Sequence, residues 1–336
     1  MRRLILITIY IFAIQTVRAQ SDSLILTNGD LIIGEIKSMD RGVLTIETDY
    51  SDSDFKIEWS GIKELYTVTY FLVTLTDGQR LNGTLESKTD GIVHIIREEE
   101  GNIESPLEDI VFLKSVDDGF LSRLYASIDL GFSLTKANNL RQTNLRSALG
   151  YLAERWSADA SLNIVRSTQN EVDATKRSDG GLAFRKYLPK DWYVPADLTF
   201  LSNTEQKLEL RTNVRLGIGN YVIHTNRTYW GFAGGASYVN ENFSSEDPDR
   251  QSWEGYLGTE LNMFDIGDLS LLTKAVVYPG ITESGRWRFD FVFDTKYDLP
   301  LDFYIKLGLT MNYDNQPVKD ASETDYVFQS GIGWEW

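Results

Sequence analysis

From about residue 121 to its end, the chain alternates apolar and polar side chains and shows no helical period. In 286–298, Trp287, Phe289, Phe291, Phe293 and Tyr297 alternate with Arg286, Arg288, Asp290, Asp294, Lys296 and Asp298. In 301–313, Leu301, Phe303, Ile305, Leu307, Leu309, Met311 and Tyr313 alternate with Asp302, Tyr304, Lys306, Gly308, Thr310 and Asn312. The last eleven residues set Tyr326, Phe328, Ile332, Trp334 and Trp336 against Val327, Gln329, Gly331, Gly333 and Glu335. A period of two makes a strand with one greasy face and one polar face. Such strands are expected over 123–135, 141–154, 155–166, 174–188, 192–202, 207–223, 228–240, 251–264, 268–278, 286–298, 301–313 and 325–336. A soluble sheet must bury its greasy face under a second layer. About a dozen long strands with nothing left over to cover them point instead to an antiparallel transmembrane β-barrel of about 12 strands. A soluble sandwich explains one such strand, but not the whole ladder.

The connections and the chain start agree. Turns at Glu154-Arg155, Pro189-Lys190, Thr225-Asn226-Arg227, Gly267 and Leu299-Pro300 are tight. They alternate with longer polar loops at 168–173, 203–206, 241–250, 279–285 and 314–324. Outer-membrane barrels have short periplasmic turns and longer outside loops. An even strand count leaves both barrel ends in the periplasm. Trp156, Tyr187, Trp192, Tyr229, Trp230, Tyr297, Trp334 and Trp336 sit near the short turns, where an aromatic girdle is expected. Residues 1–19 carry Arg2-Arg3, an apolar run from Leu4 to Ile14 and a small residue at Ala19, the order of a secretory signal peptide. There is no Cys, which excludes disulfides and thiolate metal sites. A formal net charge of -16 argues against nucleic acid as a partner.

Between leader and barrel lies a repeat. Gly29, Gly34, Gly42 and Ile46 recur as Gly78, Gly83, Gly91 and Ile95, each 49 residues later. Asn28-Gly29 and Asp77-Gly78 are strong hairpin signals. Each copy reads as a small SH3/Sm-like β-barrel of about five strands, one over 20–68 and one over 69–117. These copies lack a basic surface, so they are expected to dock a periplasmic protein or the cell wall and not RNA.

Little in the chain points to catalysis. The two histidines, His94 and His224, form no metal-binding pair, and His224 lies by a short turn, away from where a barrel hydrolase needs its Ser-His pair. Each reads as an ordinary strand or surface residue. No cofactor and no metal are expected. The acidic loops around Glu246, Asp247, Asp249, Asp320, Glu323 and Asp325 read as solvated faces without the ordered spacing of a calcium site. By parity the lumen should be lined by Arg146, Arg177, Arg185, Lys207, Glu209, Arg211, Arg215, Glu254, Glu260, Arg286, Arg288, Asp290, Asp294 and Lys306. The two signs are near balance there, which suits a cross-linked interior better than a selective pore.

The spacing of Gln329, Gly331, Trp334 and Trp336 resembles the C-terminal signal read by the barrel-assembly machinery. Together with the leader and the strand ladder, it resembles the family called domain of unknown function 481, which includes proteins described as salt-induced outer-membrane proteins. The resemblance covers roughly residues 121–336. It implies an outer-membrane location with outer-membrane lipid and lipopolysaccharide as surroundings, and it implies no assigned activity. The expected function is a non-catalytic outer-membrane barrel whose periplasmic repeats dock a partner. A narrow diffusion channel and a lipid-modifying enzyme are the alternatives.

Overall fold

A computed structural model describes residues 21–336, apart from 89–90, 98–100, 117–122, 137–138, 171, 205–207, 244–248, 267, 302, 318–322 and 335–336. The leader, Lys207, Glu246, Asp247, Gly267, Asp302, Asp320, Glu335 and Trp336 therefore lie outside the described residues. Ten short strands come first: β1 (Asp22–Leu26), β2 (Leu31–Asp40), β3 (Val43–Glu47), β4 (Phe55–Glu58), β5 (Ile62–Tyr66), β6 (Phe71–Leu75), β7 (Arg80–Ser87), β8 (Ile92–Ile96), β9 (Ile103–Pro106) and β10 (Ile110–Ser115). Single 3-10 turns, Trp59–Gly61 and Leu107–Asp109, precede β5 and β10. The repeat is therefore real, strand for strand.

The two copies do not form two separate barrels, as their sequence suggests. Strands pair in the order β1-β5-β7-β6-β10-β2, and β2 pairs back to β1, closing one six-stranded ring. Each copy gives three strands to the ring and sends out a hairpin, β3–β4 or β8–β9. The reason is core size. A 49-residue copy buries too small a fraction of its surface to stand alone. Pooled, the copies build one core in which Leu24, Ile36, Leu65, Phe71, Val93, Ile95 and Leu113 are fully buried. Trp59 of the first copy donates its indole N–H to the Leu107 carbonyl of the second at 3.0 Å. The buried Asp22 carboxylate accepts the backbone N–H groups of Ile36, Val68 and Thr69, fixing the link between copies.

Twelve long strands follow: β11 (Leu124–Thr135), β12 (Leu140–Leu152), β13 (Trp156–Gln169), β14 (Val172–Tyr187), β15 (Trp192–Asn203), β16 (Leu208–His224), β17 (Thr228–Phe243), β18 (Arg250–Ile266), β19 (Leu269–Pro279), β20 (Trp287–Leu299), β21 (Phe303–Asp314) and β22 (Thr324–Trp334). Each pairs antiparallel with the next, β11 through β22. The sheet curls into a barrel. Among the described residues no ladder joins β11 to β22. Among the described residues no helix is long and apolar enough to cross a membrane, a statement that says nothing about strands.

The alternation sorts cleanly. Ile128, Leu130, Phe132, Leu216, Leu257 and Ile332 point outward and stay exposed. Outward aromatics gather in two bands. Beside the short turns Trp156 stacks on Tyr151 and Phe184, with Trp192, Trp230 and Tyr297 in the same belt. Beside the long loops Tyr238 packs on Trp253 and Trp287 on Tyr313. Tyr187 and Tyr229, expected in the first belt, instead face inward, where Tyr187 meets Ser157 and Tyr229 meets His224. One predicted loop is also corrected. Residues 168–173 are mostly strand, because the β13–β14 ladder runs on through a bulge to the Gln169–Val172 pair.

Candidate functional site in the lumen

The register lines up the inward side chains in rows around the sheet. One row runs Asp129, Arg146, Asn163 and Asp179 across β11–β14. Another pairs Asp197 with Arg215, Arg215 with Ser237 and Ser237 with Glu254 across β15–β18. Because facing residues in antiparallel strands lie within side-chain reach, opposite charges in a row can pair across strands.

At the long-loop end these charges condense into a stopper. Arg286 makes a forked pair with Asp314 (Nη2 to Oδ2 2.6 Å) and also meets Glu283 at 2.8 Å and Glu241 at 3.8 Å. Arg211 holds Glu241 from the other side. Arg288 grips Glu254 through two nitrogens, at 2.5 and 3.0 Å. Arg250 adds a contact to Glu283 at 3.5 Å. Glu241, Glu254 and Arg286 are all at most 4% exposed. Forked arginine–carboxylate pairs are geometrically specific, and once buried they are costly to break.

Below the stopper lies a cavity of about 610 Å³ lined by Tyr125, Arg185, Asp197, Arg215, Tyr256 and Glu260, among others. Its walls show a device that periodicity alone does not reveal. Inward tyrosines sit opposite glycines of the neighbouring strand: Tyr125 faces Gly150, Tyr193 faces Gly219, Tyr221 faces Gly231, and Tyr304 faces Gly333. A Cβ at Gly150, Gly219 or Gly333 would collide with the partner ring. The rings therefore lie down over bare backbone instead of filling the lumen, covering a glycine that is otherwise weak in a strand. That is what leaves the cavity open.

At the short-turn end the N-terminal ring closes the mouth. Asp40 and Phe112 of the ring help line the cavity. Gly78, in the left-handed region at φ 78°, lies against Asp191, and Gly42, at φ 73°, lies against the Asn226 carbonyl. A side chain at Gly78 would collide with Asp191, and one at Gly42 would press on the Asn226 carbonyl at 3.0 Å. Asn82 donates to Glu154 at 3.1 Å, Arg80 covers the Tyr187 ring at 3.9 Å, and Arg41 covers Phe264 at 5.1 Å. His224 is a strand residue, the last of β16. Its Nδ1 lies 2.6 Å from Asp191, and its ring packs edge-on to Tyr229.

The predicted lumen residues thus divide. Arg211, Glu254, Arg286 and Arg288 meet in the stopper. Arg185, Arg215 and Glu260 line the cavity, with Arg215 on Asp197 at 3.0 Å and Glu260 facing Lys274 at 3.9 Å. Asp290 accepts from Asn312 at 2.8 Å, and Lys306 lies over Tyr304 at 4.4 Å. Asp294 faces Gly308 across the β20–β21 ladder. Among the described residues Arg177 pairs with its strand neighbour Asp179, and Arg146 and Glu209 are exposed, outside either cluster. Gln329 and Gly331 sit on β22 with Trp334, whose indole N–H donates to the Leu301 carbonyl at 3.1 Å. The tyrosines and Asp191 were missed by sequence reasoning. The tyrosine–glycine matches would have been readable once the register between strands was known.

No curated protein matches this chain. The family described as "Protein of unknown function, DUF481" matches residues 128–336, which is more than half of the chain and almost the entire long-stranded barrel. The chain belongs to that family.

Proposed function

We propose that this is a non-catalytic outer-membrane protein of a Gram-negative bacterium. Its long strands span the bilayer, and its N-terminal ring caps the periplasmic mouth and docks a periplasmic protein or the cell wall. The observation that carries the reading is the outward face. On strand after strand it presents bare apolar side chains, such as Leu130 at 78% and Leu257 at 60% exposure, with no second layer over them among the described residues. Only lipid makes that face favourable, and within lipid only a barrel satisfies its own backbone. Two outward aromatic bands match the two edges of a bilayer. The long loops then face outside, and the leader delivers the chain for insertion by the barrel-assembly machinery among outer-membrane lipid and lipopolysaccharide. Exposed Leu31 and Ile33 on the ring give a partner an apolar foothold.

A narrow diffusion channel is the second reading, favoured by the cavity of about 610 Å³. The stopper above and the ring below weigh against it. A lipid-modifying enzyme has less support, since His224 is held by Asp191 at the short-turn end.

Purified protein should resist detergent and run faster on a gel until boiled. It should give only small conductance steps in planar bilayers, and deleting the ring should enlarge them. Large steps from the full chain would overturn the capped-barrel reading, and a mature chain that is monomeric in water without surfactant would overturn the membrane reading. Cells in which the barrel without its ring supports every phenotype would remove the docking role.

A further inference from the structure

Two arginines, one from the ring and one from the barrel, come close to Tyr187 at their junction, and among the described residues neither has an ion-pair partner. Arg80 of the ring lies over Tyr187, donates through Nη2 to the Ala153 carbonyl at 3.3 Å, and leaves its buried Nε without an acceptor. Arg185 sits two residues from Tyr187 on the same inward face of β14 and lines the cavity. It lies over Tyr193 at 4.9 Å and donates to the Tyr221 hydroxyl at 3.2 Å. Among the described residues no carboxylate comes within ion-pair distance of either arginine. The nearby acids are engaged elsewhere: Asp197 by Arg215, Glu260 by Asn262 and Lys274, Glu154 by Asn82, and Asp159 by the Tyr125 hydroxyl. Burial pushes Arg80 below the ordinary arginine value, Tyr187 and Glu154 pull it back up, and Arg185 pushes it down again. Like charges brought near one another and partly buried repel, and an anion bound between them relieves that repulsion.

Ring stacking occupies the guanidinium faces. It leaves edge donors, the part of arginine that grips phosphate in a fork. We propose that Arg80 and Arg185 form a binding site for a dianionic phosphate, either the inorganic ion or the monoester of a small molecule whose body occupies the tyrosine-walled cavity. A cavity of about 610 Å³ suits such a body. One arginine comes from each part of the chain, so the bound anion also locks the ring to the barrel. The inference stands apart from where the barrel resides and from any partner of the ring.

The test is calorimetric titration of the full, folded chain in detergent micelles at low ionic strength, with inorganic phosphate, methyl phosphate and dimethyl phosphate as probes. Phosphate and methyl phosphate should bind saturably, and the diester at least about tenfold more weakly. Arg80→Gln and Arg185→Gln should each weaken methyl phosphate about tenfold or more, as losing a charge-assisted hydrogen bond does. Lys56→Gln, on an exposed strand of the ring, should change nothing. A retained gel shift on boiling certifies the barrel of each variant as folded, and unchanged resistance to limited proteolysis certifies its ring. No saturable binding by the full chain, unchanged binding in folded Arg185→Gln, or equal weakening by Lys56→Gln would each overturn the site. A diester that binds as tightly as the monoester would assign the junction to lipid headgroups and overturn the dianion claim.

Discussion

The two parts of this chain use one code in opposite senses. In the N-terminal ring the apolar residues of each alternating strand turn inward to a dry core, with Phe71, Leu65 and Ile95 at 0% exposure. In the long-stranded barrel they turn outward, and the enclosed side carries arginines, carboxylates and tyrosines. Alternation by itself specifies only that a strand has two faces. Strand length and the number of strands decide which face is enclosed. Six short strands close around a space that side chains fill, while twelve strands of up to 17 residues enclose a space too wide for that. What holds the second interior together is therefore polar, and its failure modes should differ from those of the first.

The sharpest break of the comparison is Phe71→Ala. It should cost the ring about 3–5 kcal/mol and expose residues 21–116 to limited proteolysis while the barrel keeps its gel shift. Arg286→Gln is the counterpart in the barrel. It strips Asp314 of its arginine and leaves Glu241 to Arg211 alone, and should cost up to about 3–5 kcal/mol at the outer end, read as a lower temperature for loss of the gel shift with the ring unharmed. If Arg286→Gln is silent, the stopper is decoration and the contrast between dry and polar interiors weakens. Gly219→Ala should destabilise the barrel by about 1–3 kcal/mol through collision with Tyr193. Adding Tyr193→Ala should restore part of the loss, a rescue that an ordinary strand glycine would not show.

The smallest effect is expected on the outside of the ring. Burial pulls Lys37 down, but hydrogen bonds to Glu35 and Glu47 outweigh it and hold its pKa above the ordinary lysine value. Its contribution is fully present below that ordinary value of 10.5 and is lost as pH rises through the higher folded value. Lys37→Ala should cost only about 0.5 kcal/mol near neutrality, measured by chemical denaturation of the ring.

Much of this was legible beforehand. The twelve long strands follow from period two, and their observed bounds lie close to those expected, as with Leu208–His224 against 207–223. The internal repeat was legible from its glycines. Its interleaving was not, because β1 pairing with β5 of its own copy and β5 pairing with β7 of the other leave the same pattern in the sequence. The lumen charges could be assigned by parity. Which of them meet could not, since Arg211 reaches Glu241 and not an acid on β15 only because of the stagger between strands. Arg185 looked like one more member of a balanced lattice until its neighbours proved to be tyrosines. Residues 168–173 looked like a loop because they are polar, but a strand that runs past the enclosed region is free to be polar on both faces.

The crossed strands of the ring carry a message about assembly. Exchanging the first copy for the second maps β1-β5-β7-β6-β10-β2 onto itself, the signature of a two-fold axis inside a single chain. A lone copy could close such a ring only by embracing an identical twin, so the link between the copies tethers two halves that already complete each other. It follows that severing the backbone between Tyr66 and Phe71 should leave fragments able to reassociate, whereas either half by itself should stay unfolded.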